Sequence, residues 1–262
     1  MSENILEINN LSKYFGGLAA VSDCSLNVKR GTITGIIGPN GSGKTTLFNL
    51  IAGNLKSSSG NVTFDEENIT DVPSYELFSK GLLRTFQIAH EFTNLSVLEN
   101  LMMVPGNQSG EKIMTALFKP SLVAQEEAII KDKAKEVVDF LNLGHLSNEL
   151  AGNLSGGQKK LLELGRTMMV DAKLVLLDEV GAGVNRTLLK DLGTAIEKLN
   201  KEKGYTFCMI EHDMDFIGRL CDPVIVMAEG SVLFEGSVEE AKKDEKVIES
   251  YLGRGSKLKD TN

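Results

Sequence analysis

A glycine-rich segment at residues 38–46 has the residue types and the spacing that bind phosphate groups. It reads Gly38-Pro39-Asn40-Gly41-Ser42-Gly43-Lys44-Thr45-Thr46 and fits the pattern G-x-x-x-x-G-K-[ST]. Glycines allow backbone N–H groups to converge on an anion, and the N-terminus of a following helix adds partial positive charge. The Lys44 ammonium would reach the β- and γ-phosphates of a nucleotide, and the Thr45 hydroxyl would ligate Mg²⁺.

The alternative for this segment is a glycine-rich turn that happens to precede a lysine. A strand-like run precedes the segment and a helix-like run follows it, which favours phosphate binding. The candidate binding residues are Asn40, Gly41, Ser42, Gly43, Lys44, Thr45 and Thr46.

Two carboxylates far downstream could complete such a site. The apolar run 174–177 ends at Asp178 and Glu179. At a strand end, Asp178 would hold Mg²⁺ through water, and Glu179 would orient or deprotonate an attacking water. Two acids after a strand are more often a solvated strand end, but the phosphate-binding segment upstream favours the catalytic interpretation.

The elements that must position these residues are predicted from the hydrophobic pattern. Short apolar or alternating runs are separated by helix-like stretches, which predicts a mainly parallel sheet with helices on its faces. The predicted strands are 6–11, 25–28, 33–37, 61–65, 174–177, 207–210, 224–227 and 232–234. Residues 88–153 are helical in pattern and form a predicted insert. Ser237 and Glu240 form a capping box, which predicts a last helix running to about Tyr251.

Composition excludes some classes of function. The chain has 262 residues and a formal net charge of −8, which argues against a nucleic-acid partner because phosphate backbones attract basic surfaces. Cys24, Cys208 and Cys221 are far apart and are interpreted as reduced packing residues of a cytosolic protein. No leader sequence is recognised, and no apolar run reaches the roughly 18 residues that span a bilayer, so any membrane role requires another chain.

A second group of motifs narrows the choice among phosphate-binding enzymes. Leu154-Ser155-Gly156-Gly157-Gln158 precedes the acidic strand, Arg84-Thr85-Phe86-Gln87 follows the N-terminal third, and Glu211-His212-Asp213 follows a predicted strand. Phe15 stands before Gly16-Gly17. With these motifs in this order, the chain closely resembles the ABC ATPase family over about residues 5–253. The resemblance implies a P-loop NTPase (RecA-like) α/β core with an N-terminal antiparallel β-subdomain and an inserted α-helical subdomain. It places the nucleotide-binding core at 1–87 and 154–253, the helical subdomain at 88–153 and a disordered tail at 254–262.

The same resemblance assigns roles to individual residues. Glu179, His212 and Gln87 would be catalytic, and His212 would contact the γ-phosphate. Thr45 and Asp178 would hold the Mg²⁺ ion, and Gln87 would complete its shell or sense the γ-phosphate. Phe15 would stack on the adenine of ATP, although Tyr14 beside it could pack there instead. The ATP held by one subunit would be contacted by the signature residues of another, namely Ser155, Gly156, Gly157 and Gln158.

The signature also has a local physical interpretation. Ser155 and Gln158 form an S-x-x-Q capping box, so Ser155 should open a helix whose glycines leave the N-terminal amides uncovered. By itself this pattern is a helix cap. In the family it implies a two-fold sandwich, formed by identical chains or with a similar partner.

The finer resemblance is to ATPases of branched-chain amino acid importers. It rests on 81–87, on Leu95-Ser96-Val97-Leu98-Glu99-Asn100, on the long insert and on the ending Tyr251-Leu252-Gly253. It implies an ATPase at the cytoplasmic face of the membrane, working with integral membrane permease subunits and indirectly with a solute-binding protein. ATPases for urea or other amino-acid import and for lipopolysaccharide export share several of these features. Val180 and Arg186 stand where the family usually has proline. Soluble, non-transport ABC proteins are disfavoured because this chain has neither a long coiled-coil insertion nor a second cassette.

Overall fold

The computed structural model describes residues 2–85, 91–106 and 108–256, with backbone alone for 252–256. Within these ranges the strands are β1 Asn4–Phe15, β2 Leu18–Lys29, β3 Ile33–Ile37, β4 Ser59–Phe64, β5 Glu67–Asn68, β6 Leu82–Arg84, β7 Leu174–Asp178, β8 Thr206–Ile210, β9 Val224–Ala228 and β10 Ser231–Gly236. The helices are α1 Lys44–Ile51, α2 Ser74–Lys80, α3 Val97–Met102, α4 Ile113–Phe118, α5 Pro120–Phe140, α6 Gly156–Met168, α7 Arg186–Lys203, α8 Met214–Leu220, α9 Val238–Ala241 and α10 Glu245–Ser256. Short 3₁₀ turns occur at Ser109–Glu111, Gly144–Leu146 and Ala151–Asn153.

The described residues divide into two compact units. One is drawn from Met1–Arg84, Lys173–Gly181 and Glu197–Asn262, and the other from Thr85–Ala172 and Ala182–Ile196. Both sheets belong to the first unit. None of the helices in the described part of the chain combines the length and the apolar character that crossing a bilayer requires.

The larger sheet has the strand order β10-β9-β3-β8-β7-β6. Strands β3, β6, β7, β8 and β9 pair in parallel, and only β10 is antiparallel to its neighbour β9. Every residue of β3, β7 and β8 is buried, as expected of parallel strands that are covered on both faces. The predicted α/β core is therefore confirmed. Because these strands are parallel, their carboxyl ends lie at one edge of the sheet.

The smaller sheet is antiparallel, with the order β2-β1-β4-β5. It shares a hydrophobic core with α1 and with β3, β7, β8 and β9, in which Phe48, Phe64 and Leu6 are almost fully buried. This is the N-terminal β-subdomain that the resemblance implied. The hydrophobic pattern of the sequence did not predict the two shortest strands, β5 and β6, because two or three residues are too few to show a period.

The second unit is built mainly from helices. Ser96 caps α3 and Ser155 caps α6, each in a capping box with the residue three positions later. The side chain of Asn100 is buried and organises the turn before α3. Its Oδ1 accepts from the Phe92 N–H at 2.8 Å, and its Nδ2 donates to the backbone oxygens of Phe92, Leu95 and Ser96. This turn is therefore held in one conformation by a single amide.

The C-terminal helical region differs from its prediction. The capping box of Ser237 and Glu240 is present, but α9 ends at Ala241, and α10 begins separately at Glu245. The prediction of one continuous helix is wrong because Asp244 starts a new one: its Oδ1 accepts from the Val247 N–H at 3.0 Å. Helix α10 continues to Ser256, and residues 257–262 of the tail lie outside the described residues.

Candidate functional site

The segment from Gly38 to Thr46 follows β3 and leads into α1. Gly38, Gly41 and Gly43 have φ angles of 150°, 76° and 100°, a region that side-chain-bearing residues rarely adopt. A Cβ on Gly38 would lie 2.2 Å from the Met227 backbone oxygen, and one on Gly43 would lie 2.4 Å from that of Ala20. Glycine is required at these two positions by both conformation and space.

Lys44 is buried, and its side chain folds back along the loop. Its Nζ donates to the backbone oxygens of Gly38 at 2.9 Å and of Pro39 at 3.1 Å. It also lies 3.4 Å from the Ser42 hydroxyl. A cation is thus held inside the curve of the loop, at the first residue of α1, where the helix N-terminus adds positive potential. The residues Asn40, Gly41 and Thr45 are exposed along this loop.

Asp178 ends β7 and is completely buried. Its Oδ2 accepts a hydrogen bond of 2.7 Å from Arg84 Nη2, at the end of the adjacent strand β6. Arg84 Nη1 donates to Asn49 Oδ1 at 2.6 Å, and the guanidinium lies over the Phe48 ring. Among the described residues no donor contacts Asp178 Oδ1. A buried carboxylate oxygen without a partner is costly.

This donor set fits a Mg²⁺ ion. Mg²⁺ keeps several waters and takes one or two carboxylates together with substrate phosphates. The unpartnered Oδ1 of Asp178 offers one such oxygen, and the exposed Thr45 hydroxyl offers another. Gln87, the third residue predicted for this ion, lies outside the described residues.

Glu179 and His212 meet at the carboxyl ends of two neighbouring strands. Glu179 follows β7 and His212 stands two residues after β8, and Glu179 Oε1 lies 3.0 Å from His212 Nε2. Glu179 has a φ of 49°, and its N–H donates to the Ile210 oxygen at 2.9 Å. Both side chains are partly accessible to solvent, so each can reach a reactant.

Glu211 is a buried carboxyl that the sequence analysis did not assign. Its Oε1 accepts a hydrogen bond of 2.7 Å from the Gly181 N–H. Its Oε2 accepts one of 3.3 Å from the N–H of the next residue, His212. Burial raises the pKa of Glu211, and the nearby Glu179 charge adds to that rise. Glu211 therefore ties the turn after Glu179 to the turn that carries His212.

Phe15 lies at the end of β1, beside the turn Gly16-Gly17. Its ring is half exposed, and Lys13 Nζ lies 5.3 Å from the ring centroid. Tyr14 is exposed to the same extent, so exposure alone does not choose between the two aromatic rings. An exposed ring of this kind presents a face on which a base can stack.

The signature residues lie in the second unit, and the geometry of this segment agrees with its local pattern. Ser155 Oγ accepts from the Gln158 N–H, and Gln158 Oε1 accepts from the Ser155 N–H at 2.9 Å. The predicted capping box is confirmed. Gly157 is required by packing, because a Cβ there would lie 2.5 Å from Leu188 Cδ1.

The structure thus brings several predicted residues to one edge of one sheet. Lys44 comes after β3, His212 comes after β8, and Asp178 and Glu179 stand at the end of β7; these three strands are neighbours in the order β3-β8-β7. Arg84 and Glu211 were missed as functional side chains. Each lies in a segment that carries a motif. Only the pairing of β6 with β7 shows that Arg84 contacts Asp178, and only the fold after β8 shows that Glu211 accepts from the Gly181 N–H.

Three kinds of comparison with known proteins, by family model, by sequence and by structure, point to the same family. The model of the ABC transporter family matches residues 21–182. A probable branched-chain amino acid transport ATP-binding protein, LivG, of Archaeoglobus fulgidus is 43% identical over 249 residues, covering 95% of each chain. The crystal structure of a nucleotide-free ATP-binding cassette from an ABC transporter superposes with a TM-score of 0.81 at 39% identity, covering 94% of this chain and 98% of the other. A dimeric bacterial ABC transporter cassette matches with a TM-score of 0.71 at 25% identity, covering 89% and 98%.

Proposed function

Because this chain belongs to the ABC transporter ATP-binding family, we propose that it is the ATP-hydrolysing motor subunit of an importer for branched-chain amino acids. The observation that carries the catalytic part of the proposal is the alignment of three adjacent strands. Strands β3, β8 and β7 deliver the phosphate loop, His212 and the pair Asp178-Glu179 to the same edge of the sheet. The amino-acid specificity rests on the likeness to relatives named for that transport.

The loop 38–46 binds the phosphates of ATP. Its amides and the N-terminus of α1 provide donors, and the Lys44 ammonium turns from the Gly38 and Pro39 oxygens toward the β- and γ-phosphates. The Thr45 hydroxyl and Asp178 hold Mg²⁺, which when bound neutralises charge on the phosphate oxygens. Gln87 completes this set. Phe15 stacks on the adenine.

Glu179 acts on the attacking water. A carboxylate that is partly accessible and adjacent to the Mg²⁺-binding aspartate can accept the proton of that water. His212 Nε2, 3.0 Å from Glu179 Oε1, contacts the γ-phosphate and keeps Glu179 oriented. Arg84 fixes Asp178 with a charge-assisted hydrogen bond and so determines which oxygen remains for the ion.

A complete site requires two chains. Ser155, Gly156, Gly157 and Gln158 present the N-terminus of α6 to the γ-phosphate of ATP bound by the partner subunit. Each chain supplies one phosphate loop and one signature, so two chains must associate head to tail about a two-fold axis. The likeness to a dimeric cassette supports this arrangement. The partner is an identical chain or a similar paralogue.

The motor works at the cytoplasmic face of the membrane. Its other partners are integral membrane permease subunits and, indirectly, a solute-binding protein. The turn 91–96 is the surface that receives a short helix of the permease. It is fixed by Asn100, as described above, and by the Glu91–Lys159 ion pair at 2.7 Å, while Thr93 and Asn94 are exposed. A rigid turn with an exposed tip can transmit movement to a docked helix.

Reconstitution tests the transport role. The chain is assembled in lipid vesicles with the membrane subunits and the solute-binding protein encoded beside it. We expect ATP hydrolysis to rise when the binding protein carries leucine, isoleucine or valine, and no rise with the assembled Glu179→Gln variant. A rise with urea alone, or release of lipopolysaccharide from the vesicles, would assign the chain to one of the related systems instead.

Crosslinking tests the docking surface. Cysteine is placed at Thr93 or Asn94, and at Tyr75, which is 72% exposed on α2, as a matched control. We expect crosslinks from the 93–94 tip to a cytoplasmic loop of the permease and none from position 75. If only position 75 crosslinks, this docking surface is wrong.

A further inference from the structure

The turn after β7 and the turn after β8 are bonded to each other through both backbone and side chains. The Glu179 N–H donates to the Ile210 oxygen at 2.9 Å, and Glu179 Oε1 lies 3.0 Å from His212 Nε2. A further hydrogen bond of 2.7 Å runs from the Gly181 N–H to Glu211 Oε1. The first two contacts use Glu179 itself, whereas the last one uses a side chain to which the proposed reaction assigns no part.

Glu211 accepts hydrogen bonds from both turns. Its side chain is buried, and its two oxygens accept from the Gly181 N–H and, at 3.3 Å, from the N–H of His212. Two N–H donors require two acceptors, which a carboxylate provides. A glutamine would provide one oxygen and would place its own N–H group against the second donor. Because the place is buried, water does not readily replace a lost acceptor.

The backbone at Glu179 depends on restraint from its surroundings. Glu179 has a φ of 49°, in the left-handed region that residues with a side chain rarely adopt. Residue 180 is valine, so no pyrrolidine ring fixes the next φ angle. The hydrogen bond to Ile210 holds the chain at Glu179, and the one to Glu211 holds it two residues later, at Gly181. Loss of Glu211 would therefore remove the restraint on the far side of Glu179.

We propose that Glu211 is a positioning residue that keeps the Glu179 carboxylate and the His212 ring aligned for hydrolysis. This inference rests on the proposed function, because it takes these two side chains as the pair that acts on water and the γ-phosphate. Glu211 acts through the backbone of the two turns and not on ATP. Hydrolysis needs both groups in place at once, so the rate scales with the fraction of molecules in which the turns hold this arrangement.

The test replaces Glu211 with glutamine, which loses one acceptor, and with alanine, which loses both. The loss of one net hydrogen bond corresponds to roughly 5-fold in rate, and the loss of two to roughly 25-fold. We expect kcat for ATP hydrolysis to fall by about these factors. The Kd for Mg-ATP, measured by calorimetry, and the KM should stay within about twofold, because the phosphate loop is untouched. A rise in KM with unchanged kcat would overturn the positioning role.

A double variant tests whether Glu211 acts through Glu179. Once the carboxylate that activates water is gone, its orientation no longer matters. We therefore expect Glu211→Gln/Glu179→Gln to hydrolyse ATP within about twofold of Glu179→Gln alone. If Glu211→Gln still slows the Glu179→Gln chain by the full factor, Glu211 acts independently of Glu179 and the positioning role is wrong.

Asp213→Ala is the matched control for disorder in the same turn. Asp213 Oδ1 accepts from the N–H groups of Asp215 and Phe216 and so starts α8. Its loss should lower the melting temperature while kcat stays within about twofold. If Asp213→Ala lowers kcat as much as Glu211→Ala, general order of the turn explains the effect, and Glu211 has no special part.

The same measurements keep this inference separate from the proposed function. If Glu179→Gln is slow and both Glu211 variants hydrolyse ATP at the normal rate, the positioning role alone fails. If Glu179→Gln itself hydrolyses ATP at the normal rate, the catalytic part of the proposed function fails, and the positioning role fails with it.

Discussion

Arg84 Nη2 lies 2.7 Å from Asp178 Oδ2, and the carboxylate is fully buried. This ion pair joins the ends of β6 and β7 and leaves the second oxygen of Asp178 without a protein donor among the described residues. The pair thus performs two tasks. It balances a charge that would otherwise be isolated inside the protein, and it determines which carboxylate oxygen is left for the proposed Mg²⁺ ion.

Breaking this pair should be destabilising. Arg84→Met keeps the length of the side chain but leaves a buried carboxylate alone, a change that typically costs about 3–5 kcal/mol. The double variant Arg84→Met/Asp178→Asn removes the charge as well and should recover part of that loss. Urea denaturation of the two single variants and the double variant measures the coupling. Additive effects would mean that Arg84 does not compensate Asp178.

Glu179→Gln should separate binding from hydrolysis. The amide keeps the shape of the side chain and can still contact His212, but it cannot accept a proton from water. We expect ATP binding near that of the unmodified chain and hydrolysis slower by about 10²–10⁴-fold. The dimer should accumulate with ATP bound, which light scattering detects. Turnover at the normal rate would remove Glu179 from its catalytic role.

Ser155→Arg should abolish hydrolysis without affecting ATP binding by the monomer. Arginine fills the space before the N-terminus of α6, where the partner's phosphate is proposed to lie. The control is Ser155→Ala, which removes only the helix cap and costs about 1 kcal/mol of stability. ATP affinity is measured at protein concentrations that keep the chain monomeric. Loss of affinity there would contradict a site shared between two chains.

The three cysteines should resist thiol reagents in the folded protein. Cys24, Cys208 and Cys221 are all buried. Burial raises the pKa of Cys24 to about 11 and that of Cys208 to about 12, and it raises the pKa of Cys221 as well. Because a raised thiol pKa favours the neutral form, little reactive thiolate is present at pH 8.

Labelling with Ellman's reagent at pH 8 measures this directly. We expect negligible reaction of the native chain and reaction of three thiols after unfolding in guanidinium chloride. Rapid labelling of the native chain would show that a buried cysteine becomes accessible. The expected inertness also provides a suitable background for the crosslinking experiment, since an introduced cysteine would be the reactive one.

The sequence by itself determined the local chemistry of this protein. The bounds of β3, the loop from Gly38 to Thr46 and the capping box of Ser155 and Gln158 follow from short-range rules of spacing, backbone conformation and hydrogen bonding. Such rules act between residues a few positions apart, so one sequence contains all the information they need. The family followed from the order of these motifs.

Only the tertiary structure decided which distant residues meet. Arg84 reaches Asp178 because β6 pairs with β7, and Glu179 reaches His212 because β7 pairs with β8. The partition of the C-terminal helix at Asp244 was equally hidden, since Ser237 and Asp244 are both adequate helix starts. Strand pairing and helix docking are set by the whole buried core, and no pattern within a short stretch of chain records them.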